Sequence, residues 1–355
     1  MNSLYKAYID FIKYAIEDEA DIPDSAKCID WYGFLQFCNR HGIIGLVFEG
    51  IQKADLRINQ NVLFQWLSYS EKIKRQNQIT NLRIGQVRHF FEELNWRSCI
   101  LKGQANGLMY PKPEVRSPGD IDIWVERKAE EVINLVLSRF PGASYSLHHI
   151  KMPIFKDISV EVHYRPTGLS NWILDRILQN YIGEVSDRQF SHKEKLGDIE
   201  ICCLTDDFNA LYQILHMYGH FLATRNSFKQ FVDYYYLLKK GLSAEEKEHG
   251  GQMIKTLKLE KYASGIMWIM KEVLGLDENY IIGEINEKEG KRLLNESMYY
   301  GTFSKNTLLA VLEQTWSNLR LLRYYPKEVM LSPIHLCWHQ WWKLKMRISL
   351  RKGLA

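Results

Sequence analysis

The 355-residue chain is poor in several things, and each shortage closes a class. Nine prolines and a 25% charged content do not support a disordered, collagenous or low-complexity protein. Six cysteines occur with no C-x-x-C and no histidine pair at zinc-finger spacing, so neither a finger nor a redox dithiol is encoded. Most of them sit in apolar stretches such as Ile201-Cys202-Cys203-Leu204, as free thiols in a reducing compartment would. No apolar run approaches the ~18 residues of a membrane span. The first twenty-one residues carry Asp10, Glu17, Asp18 and Glu19, which is not a signal peptide pattern. A soluble, cytoplasmic protein is expected. The net charge of +4, from 46 basic against 42 acidic residues, does not mark a nucleic-acid binder by itself. Neither G-x-x-x-x-G-K-[ST] nor G-x-G-x-x-G is present, so a P-loop or a dinucleotide fingerprint is excluded.

What the chain does have is length for two domains and many aromatics, with 20 Tyr, 15 Phe and 10 Trp. The first hundred residues carry helical periodicity, including an uninterrupted stretch from Val62 to Leu94 broken only by Gly85. The pattern then changes. Ser98 to Leu101 reads as a buried strand entering a turn at Lys102-Gly103, and Gln104 to Tyr110 as a short helix ended by Pro111. Alternation marks Asp120 to Val125 as a strand, Arg127 to Phe140 reads as a helix, and strands follow at Tyr145 to Phe155, Ile158 to Tyr164 and Ile199 to Leu204. Helices resume near Asp206. The expected partition is a helical region over 1–96, an α+β core over 97–205 and a helical domain over 206–355.

Two carboxylates in the run Asp120-Ile121-Asp122-Ile123 share one strand face, because successive side chains alternate. Like charges so close call for a cation, and Mg²⁺ suits a site made of carboxylates and substrate phosphates. By the same alternation Glu161 and His163 in Val160-Glu161-Val162-His163 share a face, and if the strands are neighbours Asp120, Asp122 and Glu161 converge. Lys102 and Gly103 follow a buried strand, where glycine lets backbone amides approach a phosphate, and Arg116 is positioned to meet anionic ligand groups. An isolated D-x-D is common on polar strand faces, so it is the company of these residues that points to chemistry.

Leu101-Lys102-Gly103, Tyr110-Pro111, Arg116, Asp120-Ile121-Asp122-Ile123 and Val160-Glu161-Val162-His163 together resemble the bacterial nucleotidyltransferase branch of the polymerase-β superfamily. The order LKG, YP, R, DIDxxV, VExH is matched from about Ile100 to Tyr164, with a weaker match from His216 to Asp233. The usual Gly-Ser ahead of the acidic pair is Lys102-Gly103 here, as in that branch. The resemblance implies a small mixed sheet with helices, flanked by helical regions, and transfer of NMP from an NTP such as ATP to a hydroxyl with release of pyrophosphate. It implies two Mg²⁺ ions, or Mn²⁺ in their place, on Asp120, Asp122 and Glu161, with Glu161 completing the metal site or taking the acceptor proton. Lys102 and Arg116 would face the phosphates, and His163 would orient Glu161 or act as a base. The acceptor, whether small molecule, protein or RNA, is not implied. A catalytically silent module that binds a nucleotide or a partner is the alternative.

Two features stand outside this kit. His216 and His220 lie i, i+4 on a helix from Asp207 to Leu222, a spacing that can ligate a metal, but with no H-E-x-x-H pattern core or cleft-lining roles are favoured. The resemblance would place them, with Asp233, along the nucleotide or acceptor cleft. After Pro333 no acidic residue occurs, while Lys343, Lys345, Arg347, Arg351 and Lys352 accumulate beside Trp338, Trp341 and Trp342. Such a helix can meet RNA or an anionic membrane surface, yet packing of the tryptophans on the helical domain is favoured.

Overall fold

The computed structural model describes residues 3–17, 21–54, 56–299 and 321–352. Helices α1 (Ser3–Ile16), α2 (Trp31–His41), α3 (Ile44–Lys53) and α4 (Gln60–Glu93) come first. Then follow β1 (Ser98–Ile100), α5 (Gln104–Gly107), β2 (Ile121–Val125), α6 (Ala129–Arg139), β3 (His149–Lys151), β4 (Val160–His163), α7 (Trp172–Ser191), β5 (Lys193–Leu196) and β6 (Ile199–Cys202). The remainder is α8 (Asp206–Ala223), α9 (Phe228–Lys239), α10 (Ala244–Thr256), α11 (Glu260–Trp268), α12 (Glu287–Ser297) and α13 (Pro326–Lys352). The chain is a mixed α+β protein, dominated by helix. No helix among the described residues is long and apolar enough to cross a membrane.

The chain forms two compact units, each assembled from three stretches. The first draws on Met1–Ile79, Asn106–Pro118 and Asp206–Phe303. Its core is aromatic: the fully buried Phe34 packs edge-on to Phe11 and Trp66 and stacks on Tyr8, with ring centroids 4.5 Å apart in that last pair. Local signals set the helix ends. The Asp30 carboxylate accepts from the Tyr32 amide at the start of α2, and Gly42 ends it at φ +69°. Ser243 and Glu246 close a reciprocal capping box on α10.

The second unit draws on Thr80–Ala105, Gly119–Thr205 and Ser304–Ala355. It holds a four-stranded sheet in the order β1-β2-β4-β3, with β2 and β4 parallel and both outer pairs antiparallel. Ile121, Ile123, Val125, Val160 and Val162 are all buried, as are Val132, Ile133 and Val136 of α6. The register is fixed by that apolar alternation, since a one-residue slip would carry the hydrophobic set to the other face. It pairs Ile121 with Val160 and Asp122 with Glu161 in β4, and His149 with His163 across β3. A hairpin of β5 and β6 meets β1 through a bridge between Ile100 and Cys203.

In α13 the tryptophans divide. Trp342 packs on Tyr164 and Tyr145, whereas Trp338 and Trp341 are exposed. The packing on the helical domain expected for all three is therefore not what is seen: Trp342 packs within the sheet-bearing unit, where the helix lies on α6. The side chains of Arg351 and Lys352 lie outside the described residues.

Candidate metal centre

The site is built on the sheet. β1 ends in a turn where Gly103 sits at φ +67°, a left-handed conformation that glycine adopts without penalty. A Cβ there would lie 3.5 Å from the Asp120 carbonyl oxygen, so the turn runs against the segment entering β2. That turn delivers Lys102, whose Nζ stands 3.3 Å from Asp122 Oδ2. Asp120 immediately precedes β2 and is exposed, whereas the Asp122 side chain is only 1% exposed. Burial of so short a carboxylate requires partners. They are Lys102 on one oxygen and His163 Nε2, 3.0 Å from Oδ1, on the other.

Asp120, Asp122 and Glu161 each offer an oxygen within 4.8 Å of the other two. The parallel register accounts for this, because Asp122 and Glu161 are direct cross-strand neighbours. Glu161 is half-enclosed, and burial, reinforced by the charges of Asp122 and Asp120, pushes its pKa above the usual carboxylate value. A carboxyl in that position gains from any cation placed beside it. The three residues fit a hard divalent ion, which takes oxygen ligands and favours carboxylates.

Strand β3 adds residues that the sequence reading did not single out. His149 Nε2 lies 3.5 Å from Glu161 Oε2, and Lys151 Nζ lies 3.6 Å from Glu161 Oε1. Burial, aided by the neighbouring His163, lowers the pKa of His149 to about 4. Its signal was available in part: alternation along His149-Ile150-Lys151 places His149 and Lys151 on the face opposite the buried Ile150. What was missing was the pairing of β3 with β4.

Three sequence candidates belong to the helical unit. Arg116, expected over ligand phosphates, is instead buried in the helical unit. Its Nε and Nη2 donate to Asp233 Oδ1 and Oδ2, each at 2.7 Å. Tyr110 donates its hydroxyl to the same carboxylate at 2.7 Å, and Asn106 does so at 3.3 Å. The physical reason is plain: a buried guanidinium is stable only with a matched carboxylate, and Asp233 supplies the bidentate partner. The Arg116 charge in turn holds the Asp233 carboxyl below its ordinary value against the opposing pull of burial. His216 and His220 stand on α8 in the helical unit, with rings 4.5 Å apart and His216 stacked along Tyr212. Neither belongs to a metal-capable cluster among the described residues.

With this geometry in hand, the comparison with known families is informative. A model described as an uncharacterised nucleotidyltransferase matches residues 27–275. The chain belongs to that nucleotidyltransferase family. The matched span contains every member of the acidic trio together with Lys102, His149 and His163. No protein of curated function matches the chain. Among solved structures it is similar to an antigenic nucleotidyltransferase-like protein from Paracoccidioides brasiliensis, at 12% identity over 53% of this chain and 93% of that one. The TM-score of that pair is 0.31, too low to carry an argument about either fold or site.

Proposed function

We propose that the chain is a divalent-metal-dependent nucleotidyltransferase that moves NMP from an NTP to an acceptor hydroxyl and releases pyrophosphate. The observation that carries the reading is the convergence of Asp120, Asp122 and Glu161 within 4.8 Å on a family-matched segment. Those carboxylates are the residues that would hold Mg²⁺ or Mn²⁺. When bound, the ion offsets charge on the triphosphate and on the attacking oxygen. Lys102, already against Asp122, supplies a positive group for the phosphates as pyrophosphate departs. The acceptor oxygen forms a bond to the α-phosphorus while the bond to pyrophosphate breaks, and the hydroxyl proton passes to the Glu161 carboxylate.

A second reading has its own support. The ammonium of Lys102 lies 3.3 Å from Asp122 Oδ2, so the patch carries an internal cation. A silent module that binds nucleotide or partner without transfer would use it in that way. Incubation with α-labelled NTPs, Mg²⁺ and a panel of hydroxylated acceptors separates the two. Label transfer that drops to background in Asp122→Ala supports the enzyme. Absence of transfer across the panel, with nucleotide binding retained, supports the module and overturns the enzymatic reading.

A further inference from the structure

His163 faces two acceptors. Its Nδ1 lies 3.3 Å from the Arg165 carbonyl oxygen, and its Nε2 lies 3.0 Å from Asp122 Oδ1. A neutral imidazole has one N–H for those two contacts. If Nδ1–H donates to the carbonyl, Nε2 is left facing a carboxylate oxygen, and the pair is satisfied by a cation between them, a proton or a metal ion. His149 repeats the pattern. Its Nδ1 is 3.4 Å from Ser146 Oγ, and its Nε2 is 3.5 Å from Glu161 Oε2. A backbone or side-chain oxygen on one ring nitrogen with the other nitrogen aimed inward is the usual outer support of a metal-bound histidine.

The inner atoms form a compact set. His149 Nε2, His163 Nε2 and a Glu161 oxygen lie within 4.8 Å of one another, and Asp122 Oδ1 touches the same His163 nitrogen. The outward oxygens of the two carboxylates meet lysines, Lys102 at Asp122 Oδ2 and Lys151 at Glu161 Oε1. The charged rim thus leaves Asp122 Oδ1 and Glu161 Oε2 turned toward the imidazoles. Atoms bound tetrahedrally to one ion at about 2.0–2.2 Å are separated by roughly 3.3–3.6 Å, so side-chain movement of about 1 Å closes the set.

We infer that this patch holds a second, chemically distinct ion: a first-row divalent transition metal bound by His149, His163, Glu161 and Asp122. Two imidazoles with two carboxylates suit Zn²⁺, Co²⁺ or Mn²⁺ and disfavour Mg²⁺, which demands oxygen. Glu161 and Asp122 are shared with the all-oxygen trio, while Asp120 belongs to that trio alone. The inference rests on the same patch as the proposed activity, and its test uses no nucleotide, so failure of one leaves the other standing.

The full chain, stripped with chelator, is titrated with Co²⁺ and followed by visible absorption, then challenged with Zn²⁺ and separately with excess Mg²⁺. One equivalent of Co²⁺ should produce ligand-field bands that Zn²⁺ bleaches and millimolar Mg²⁺ does not. His149→Ala and His163→Ala should each weaken Co²⁺ binding by about tenfold or more, on the scale seen for disturbed metal centres, whereas Asp120→Ala should leave the bands in place. Circular dichroism confirms that each variant is folded. Absence of Co²⁺ bands in the wild-type chain overturns the inference without any variant. So does Mg²⁺ displacing Co²⁺ at equal concentration, or an Asp120→Ala variant losing the bands while the histidine variants keep them.

Discussion

Replacing Arg116 with methionine tests the reassignment of that residue from ligand contact to buried scaffold. Methionine keeps much of the side-chain volume and removes the guanidinium, leaving Asp233 with Tyr110 and Asn106 as hydrogen-bond donors from the four contacts it now has. Two charge-assisted bonds at about 1.5–3 kcal/mol each give roughly 3–6 kcal/mol. Breaking a buried pair by removing one partner costs about 3–5 kcal/mol, so the two routes agree. The side chains are only 5% and 6% exposed, so solvent screening offers little relief. For a unit of this size the midpoint of thermal unfolding should fall by roughly 6–20 °C. Urea unfolding followed by circular dichroism gives the free energy. Co²⁺ and nucleotide binding to the folded variant should be unchanged, because the guanidinium is committed to Asp233 through two of its nitrogens. A variant as stable as the parent that no longer binds nucleotide would refute the reasoning and return Arg116 to the ligand.

Further outcomes follow from single features. His41 is fully buried, accepts a hydrogen bond from the Phe228 amide at Nδ1, and has its pKa lowered to about 3, mainly by burial. The unfolded chain binds this proton first, so stability is complete above pH 6.5 and falls as pH drops toward 3, by roughly 4–5 kcal/mol at most. His41→Phe should flatten that slope in urea unfolding across pH 4–7, and an unchanged slope would contradict the burial argument. Gly290 permits close contact between α11 and α12, since a Cβ there would lie 2.4 Å from Trp268 Cε3. Gly290→Ala should therefore cost about 1–3 kcal/mol by overpacking, and a neutral result in thermal unfolding would show that Trp268 can move aside.

Much of the sheet was legible because its residues announce a period of two. Ile121, Ile123, Val160 and Val162 declare one face, and Asp122, Glu161 and His163 the other. The helical stretch from Val62 to Leu94 was equally legible, because no proline breaks it and the observed α4 spans Gln60–Glu93. His149 was not legible as a site residue, because a three-residue strand gives too little alternation and its value comes from pairing with β4. Strand β5 and helix α7 went unread for a related reason. Lys193-Glu194-Lys195 has no apolar face, and α7 carries exposed Trp172 and Ile173 at its start. The partner of Arg116 lay 117 residues away, a separation over which no local pattern carries information.

The division of each unit into three stretches has a consequence for how the chain comes off the ribosome. All four strands of the sheet fall between Ser98 and His163, so the sheet has its full complement of strands while the second half of the chain is still being made. The helical unit cannot do the same. Phe37 and His41 of α2 pack on Phe228, so the first helices have to wait for a partner nearly two hundred residues later. Until then the face of α2 that carries Phe37 and His41 lacks Phe228, a slow long-range closure that invites chaperone capture. Expression of the first eighty residues alone should accordingly yield aggregated protein.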